Sequence, residues 1–108
     1  MLVELDVFSG RPNPQWYVDE PIDQQIRELH RQLASTTTLP AEPPGLGYRG
    51  FRYTLDGAVW RVWNGALVGP DRILHDPTRS VERLLLGQLP DEYADLRSRL
   101  EGEVTPET

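Results

Sequence analysis

Tyr48-Arg49-Gly50-Phe51-Arg52-Tyr53-Thr54-Leu55-Asp56-Gly57-Ala58-Val59-Trp60-Arg61-Val62-Trp63 is the stretch whose reading decides the fold. From Tyr48 to Leu55 it reads as a strand, with Phe51, Tyr53 and Leu55 on one side and Arg52 and Thr54 on the other. Asp56-Gly57 is a strong tight-turn signal, and Val59–Trp63 alternates again, so the whole reads as an antiparallel hairpin. In the second strand Trp60 and Val62 share one face, while Val59, Arg61 and Trp63 share the other. With Trp60 and Val62 in the core, Trp63 stands partly exposed beside Arg61, where an aromatic–arginine contact or a partner surface forms. A second apolar layer covering both sides of the hairpin is the competing reading.

Working back toward the N-terminus, Tyr48 is preceded by Pro40, Pro43, Pro44, Gly45 and Gly47, a stiff, turn-rich crossing. Before it, Ile22, Ile26, Leu29 and Leu33 recur at helical spacing, which predicts an amphipathic helix through about Ala34. Asp19 or Glu20 caps it, Pro21 occupies its first turn, and Asp23, Arg27, Glu28 and Arg31 face solvent. Ser35–Thr38 ends the pattern. The chain opens on Leu2–Phe8, a strand with Val3, Leu5 and Val7 on one side, followed by the loop Ser9-Gly10-Arg11-Pro12-Asn13-Pro14 and a short extended piece, Trp16-Tyr17-Val18.

Working forward, Asn64-Gly65 supplies another turn, and Ala66–Val68 with Arg72–His75 predicts one or two short extended pieces. Asp76-Pro77 predicts a helix start leading into Val81, Leu84, Leu85 and Leu89. Gln88-Leu89-Pro90 interrupts it, and a last helix includes Tyr93, Leu96 and Leu100. The fold class is therefore α+β: a small, mostly antiparallel sheet with helices packed on one face. Residues 1–104 are expected to form one domain and residues 105–108 a flexible tail.

The chain carries 17 acidic residues against 11 arginines and no lysine, a formal charge of −6. Neither a basic excess nor a basic stripe is present, so nucleic acid is not an expected partner. Folding would nonetheless gather Arg49, Arg52 and Arg61 on one face, suited to a carboxylate, a phosphate or an acidic peptide; solvation of sheet and helices by scattered arginines is the plainer alternative. The absence of cysteine excludes disulfides, thiolate metal ligands and protein-held iron–sulfur chemistry. No run approaches membrane-spanning length and no leader pattern precedes the first strand, so a cytoplasmic location is the expectation.

Two segments stand out as candidate sites. In the Ser9–Pro14 loop, proline restricts itself and its predecessor while Gly10 and Asn13 take up turn geometries, so Ser9 and Arg11 are presented with little ordering cost, and Trp16 anchors the base. A purely structural clamp explains the same residues. In Leu46-Gly47-Tyr48-Arg49-Gly50-Phe51 the glycines permit close backbone approach, and an exposed edge there would recruit a peptide by strand addition, with Arg49 and Arg52 recognising anions. A tight lead-in to an internal strand accounts for the glycines equally well. The two histidines, His30 and His75, lack metal-ligand spacing and read as structural or surface residues. Ser9 has no identifiable histidine base, and Glu4 with Asp6 does not define a substrate pocket, so independent catalysis is not expected.

Val7-Phe8-Ser9-Gly10-Arg11-Pro12-Asn13-Pro14 with Trp16, followed by Leu46–Phe51, resembles the small accessory subunits of radical-SAM peptide spliceases, and the resemblance spans most of the chain. It implies a non-catalytic partner of a larger enzyme that removes a tyrosine-derived fragment from a ribosomal precursor peptide and leaves an α-keto-β-amino acid. The iron–sulfur cluster and S-adenosylmethionine would belong to that enzyme, with no cofactor in this chain. The peptide- or partner-binding residues would be Ser9, Arg11, Asn13, Trp16, Tyr48, Arg49, Phe51, Arg52, Arg61 and Trp63. A freestanding protein-interaction or small-ligand-binding domain is the alternative.

Overall fold

The computed structural model describes residues 1–43, 45 and 47–105. Leu46 of the second candidate segment, Pro44 of the crossing and residues 106–108 of the expected tail lie outside the described residues. Strands β1 (Leu2–Leu5), β2 (Gln15–Tyr17), β3 (Ala34–Thr36), β4 (Phe51–Leu55), β5 (Ala58–Trp63), β6 (Ala66–Val68) and β7 (Ile73–His75) form one sheet in the order β2-β1-β4-β5-β6-β7-β3. Every neighbouring pair is antiparallel. Helices α1 (Glu20–Gln32), α2 (Ser80–Gly87) and α3 (Ala94–Glu101) pack on one face, the last preceded by a 3₁₀ turn at Asp91–Tyr93. The expected α+β architecture is the one observed.

The hairpin forms as its sequence dictates. Asp56 and Gly57 both adopt positive φ, as do Asn64 and Gly65 in the next turn; two positive φ values are what a two-residue turn needs to match the twist of its strands. The pairings Phe51↔Val62 and Tyr53↔Trp60 put the predicted apolar set on one face. There Val3, Leu5, Leu67 and Leu74 from neighbouring strands meet Ile26 of α1, Val81 and Leu85 of α2 and Leu100 of α3.

Gly50 fixes how tightly β4 lies on β5. A Cβ at this position, where φ is +97°, would stand 2.2 Å from the Val62 carbonyl oxygen. β4 is central, between β1 and β5, and Arg49 and Gly50 before it already exchange backbone hydrogen bonds with Asp6, so strand addition there is closed. The lead-in to an internal strand is the reading that holds.

Three local expectations are revised. The helix ends at Gln32 rather than about Ala34, and Ala34–Thr36 is a strand that pairs with β7 and forms one edge of the sheet. Asp76-Pro77 does not begin α2, which starts at Ser80 after Arg79 takes a left-handed conformation with φ 54°. Asp76 instead accepts a hydrogen bond from the Val81 backbone N–H at 3.0 Å, capping the helix from five residues away. Trp63 does lie on the face opposite Trp60 and Val62, but it is only 3% exposed. Its indole Nε1–H donates to the Ala41 carbonyl at 2.9 Å, so the crossing around Ala41 lies over it.

Candidate binding surface

With all three helices on one face of the sheet, the other face is met, among the described residues, by the crossing at Ala41 and by the Ser9–Pro14 loop through Asn13 at Glu4. Its outward side chains fall in rows set by strand register. Tyr17 stands opposite Leu2 and Thr54 opposite Val59, and the Val3↔Tyr53 pairing carries Leu2 beside Thr54. Tyr17, Leu2 and Val59 are 78%, 43% and 54% exposed, so this row leaves apolar surface in water. The adjacent row is Gln15, Glu4, Arg52, Arg61, Val68 and Ile73. Arg52 and Arg61 are direct cross-strand partners, and like charges in that position repel. Glu4 reaches Arg52 across 3.7 Å, and the Arg61 guanidinium lies 4.3 Å from the centre of the Trp63 ring. The anticipated aromatic–arginine contact thus exists, with Trp63 as a buried platform and Arg61 half-buried above it.

The Ser9–Pro14 loop is tied down from within. Asn13 Oδ1 accepts from the Val7 and Phe8 backbone N–H groups at 3.0 and 2.8 Å. Asn13 Nδ2 donates to Glu4 Oε2 at 3.0 Å and Asp6 Oδ1 at 3.4 Å. Pro14 is buried, and its carbonyl accepts from the Leu5 backbone N–H. Arg49 belongs to the same knot: its guanidinium donates to Asp6 Oδ1, to the Phe8 carbonyl and to the Gly45 carbonyl. Asn13 and Arg49 therefore hold the loop against β1 and the lead-in to β4, and Arg49 is not free beside Arg52. Ser9, Gly10, Arg11 and Pro12 form the exposed tip, where the Arg11 guanidinium lies 3.7 Å over the Phe8 ring.

The other sequence-derived candidates are inward-facing. Phe51 is in the core, and Trp16 packs edge-on against it at 6.4 Å. The Trp16 Nε1 atom is buried with no hydrogen-bond partner among the described residues. Tyr48 donates its hydroxyl to Glu82 Oε1 at 2.6 Å. Burial, followed by the Glu82 charge, pushes the Tyr48 phenol far above its ordinary range, so it stays protonated. Of the ten residues singled out, Ser9, Arg11, Arg52 and Arg61 retain polar groups accessible for a partner. They divide between the loop tip and the open face.

Sequence reading missed the most heavily bonded polar centre. Glu82 is fully buried. Its Oε1 accepts from Tyr48, the Asn64 N–H and Arg79 Nη2, and its Oε2 accepts from the Gly65 N–H and Arg79 Nε. Arg79 also donates to the Glu103 carbonyl at 3.0 Å. With five donors on one carboxylate and no listless oxygen left over, this cluster is a structural rivet joining α2, the β5–β6 turn, the crossing and the C-terminal segment. The signal was present: Glu82 lies three and four residues before Leu85 and Leu86, on the apolar stripe, with Arg79 one turn earlier.

Among the described residues no three His, Cys, Asp or Glu side chains group to hold a metal ion, and no helix is long and apolar enough to cross a membrane. No protein-family model, curated protein or solved structure matches the chain.

Proposed function

We propose that this chain is a non-catalytic accessory protein of the cytoplasm that binds a radical-SAM peptide-modifying enzyme, its ribosomal precursor peptide, or both, and so supports tyramine excision and α-keto-β-amino acid formation. The observation that carries the binding role is the uncovered sheet face. Its exposed row of Tyr17, Leu2 and Val59 adjoins the paired Arg52 and Arg61. An extended peptide with an acidic side chain among apolar ones is complementary to that arrangement: the carboxylate relieves the Arg52–Arg61 repulsion, and the apolar side chains cover the neighbouring row. The link to peptide maturation rests on the resemblance carried by Val7–Pro14, Trp16 and the residues leading to Phe51. A chain without cysteine has no thiolates to hold an iron–sulfur cluster, so cluster and S-adenosylmethionine belong to the larger partner.

Reconstitution tests both parts. The genes next to its own are first searched for a radical-SAM enzyme and a short precursor; the chain is then mixed with the two, and complex formation and modified peptide are measured. Product yield that rises with the chain present, and falls when Arg52→Glu and Arg61→Glu are combined, is the expected result. Equal complex formation and yield without the chain overturn the accessory role, as does a gene neighbourhood that holds neither enzyme nor precursor. Binding of the double variant at wild-type affinity overturns the sheet face as the surface used.

A further inference from the structure

On the helix-covered side, a groove of about 300 Å³ opens between α1, the β4–β5 turn and the β6–β7 turn. His30 lines it and is itself 95% buried, being 5% exposed. The imidazole Nε2 lies 2.6 Å from the Tyr53 hydroxyl. Its Nδ1 is buried and has no partner among the described residues. If Nε2 carried the proton, both Nδ1 and the phenolic hydrogen of Tyr53 would be stranded. If Tyr53 donates to Nε2, the Nδ1–H group alone is left, so the second arrangement is the better satisfied. Burial, then the charges of Arg72 and Arg27, lowers the His30 pKa to about 4, which keeps the ring neutral at pH 7. A residue that lines the groove therefore holds a buried N–H donor with no partner among the described residues.

Three arginines surround it, but two are already matched. Arg27 bridges Asp23 and Asp56, and Arg31 pairs with Glu28. Arg72 has no carboxylate partner among the described residues, and its guanidinium stands 5.7 Å from the Trp60 ring centre. The remaining wall is the apolar surface of Trp60, Leu55 and Ala58.

We propose that this groove binds a small monocarboxylate with an apolar body, its carboxylate on Arg72 beside His30 and its body against Trp60. One uncompensated guanidinium calls for one negative charge, whereas a phosphate dianion would bring two into a site that also contains Asp56. The volume suits a ligand at the small end of the usual range. The site is independent of the sheet-face reading above, since it lies on the opposite side of the sheet.

The probe is benzoate, titrated into the full chain at pH 7 while the His30 ring nitrogens and the Trp60 indole are followed by NMR. Benzyl alcohol, inorganic phosphate and the variant Arg72→Gln form the comparison arms, with Arg83→Gln on exposed α2 surface as the control. Arg72 is exposed, so its variant is expected to keep the wild-type circular dichroism spectrum. Saturable benzoate binding that shifts both reporters, weakens about tenfold or more in Arg72→Gln and is unchanged in Arg83→Gln supports the site. Absence of saturation into the millimolar range, equal binding by folded Arg72→Gln, or benzyl alcohol or phosphate binding as tightly as benzoate overturns it.

Discussion

Replacing Glu82 by Gln changes one atom and nearly nothing in shape, yet it should be among the most damaging substitutions in the chain. The carboxylate accepts five hydrogen bonds with no exposure to water. An amide places two N–H donors where one oxygen stood. If it replaces Oε2, it faces the Gly65 N–H and Arg79 Nε; if it replaces Oε1, it faces three donors. Either way at least two buried donors lose their acceptor, and the Arg79 guanidinium loses its counter-charge. Breaking a buried ion pair from one side costs about 3–5 kcal/mol. Against a total stability of about 5–15 kcal/mol for an ordinary domain, this is about a fifth or more, and the melting temperature should fall by on the order of 15 °C. Urea unfolding followed by far-ultraviolet circular dichroism measures it, with the denaturant slope required to stay constant so that the midpoint reports stability. Tyr48→Phe removes one charged hydrogen bond while leaving four donors on Glu82, and should cost about 1.5–3 kcal/mol. Glu28→Gln, which breaks an exposed pair with Arg31, should leave the midpoint where it was. A loss under about 1 kcal/mol for Glu82→Gln would refute the role of this cluster as the tie between α2 and the β5–β6 turn.

Three further outcomes follow from the same geometry. Because the His30 pKa in the folded chain is about 4 against an ordinary value of 6.5, the unfolded chain takes up that proton first. The stabilisation is complete above pH 6.5 and is lost as pH falls toward 4, by about 3 kcal/mol in all. Comparison of urea midpoints for wild type and His30→Phe at pH 7 and pH 5 isolates this slope from the carboxylates common to both; a ring that titrates near pH 6.5 by NMR contradicts it. Tyr53 bonds this ring and Trp60 packs edge-on against it, while Arg27, Arg31, Arg72 and Asp56 line the same groove. Gly50→Ala, which drives a Cβ to within 2.2 Å of the Val62 carbonyl at positive φ, should destabilise by about 3 kcal/mol or leave the chain insoluble; a near-neutral midpoint would show that β4 can move away from β5. Asn13→Ala strands the Val7 and Phe8 N–H groups and should cost about 2 kcal/mol, visible as faster hydrogen exchange at those two amides, while Ser9→Ala at the exposed tip leaves both protected.

The legible parts of the fold are those in which local chemistry and tertiary packing agree. The Tyr48–Trp63 hairpin combines period-two alternation with an Asp-Gly turn whose positive φ values few other residue pairs accept, so the register follows from the sequence. Ala34–Thr36 carries no such pattern; three small residues become a strand only because β7, about 40 residues later, offers its edge. Asp76-Pro77 emits a true capping signal, but the Asp side chain serves an amide five residues on, across a turn that the left-handed Arg79 makes possible. For Trp63 the alternation gives the correct face and not the cover. What buries it is a proline-rich crossing without periodicity, joined through one indole hydrogen bond.

That difference bears on how the candidate site is to be understood. Ser9–Pro14 and Leu46–Phe51 drew attention through proline, glycine and arginine, residue types that present a loop and equally well restrain one. Asn13 and Arg49 spend nearly all their donors and acceptors on β1, Asp6 and the loop's own backbone, and Gly50 is fixed by the approach of β5. The residues that make the segment recognisable are thus the ones least free to touch a partner. Tyr17, Leu2 and Val59 have no motif, but they share a row that no helix covers, beside two arginines that repel each other. Substitutions in the loop should therefore lower binding only in proportion to lost stability, recovering when the fold is restored at lower temperature. Arg52→Gln with Arg61→Gln, which removes the like-charge pair without creating an acidic one, should lower binding in a chain whose urea midpoint stays close to wild type. A loop variant that is fully folded and still fails to bind would move the docking surface back to the Ser9–Pro12 tip.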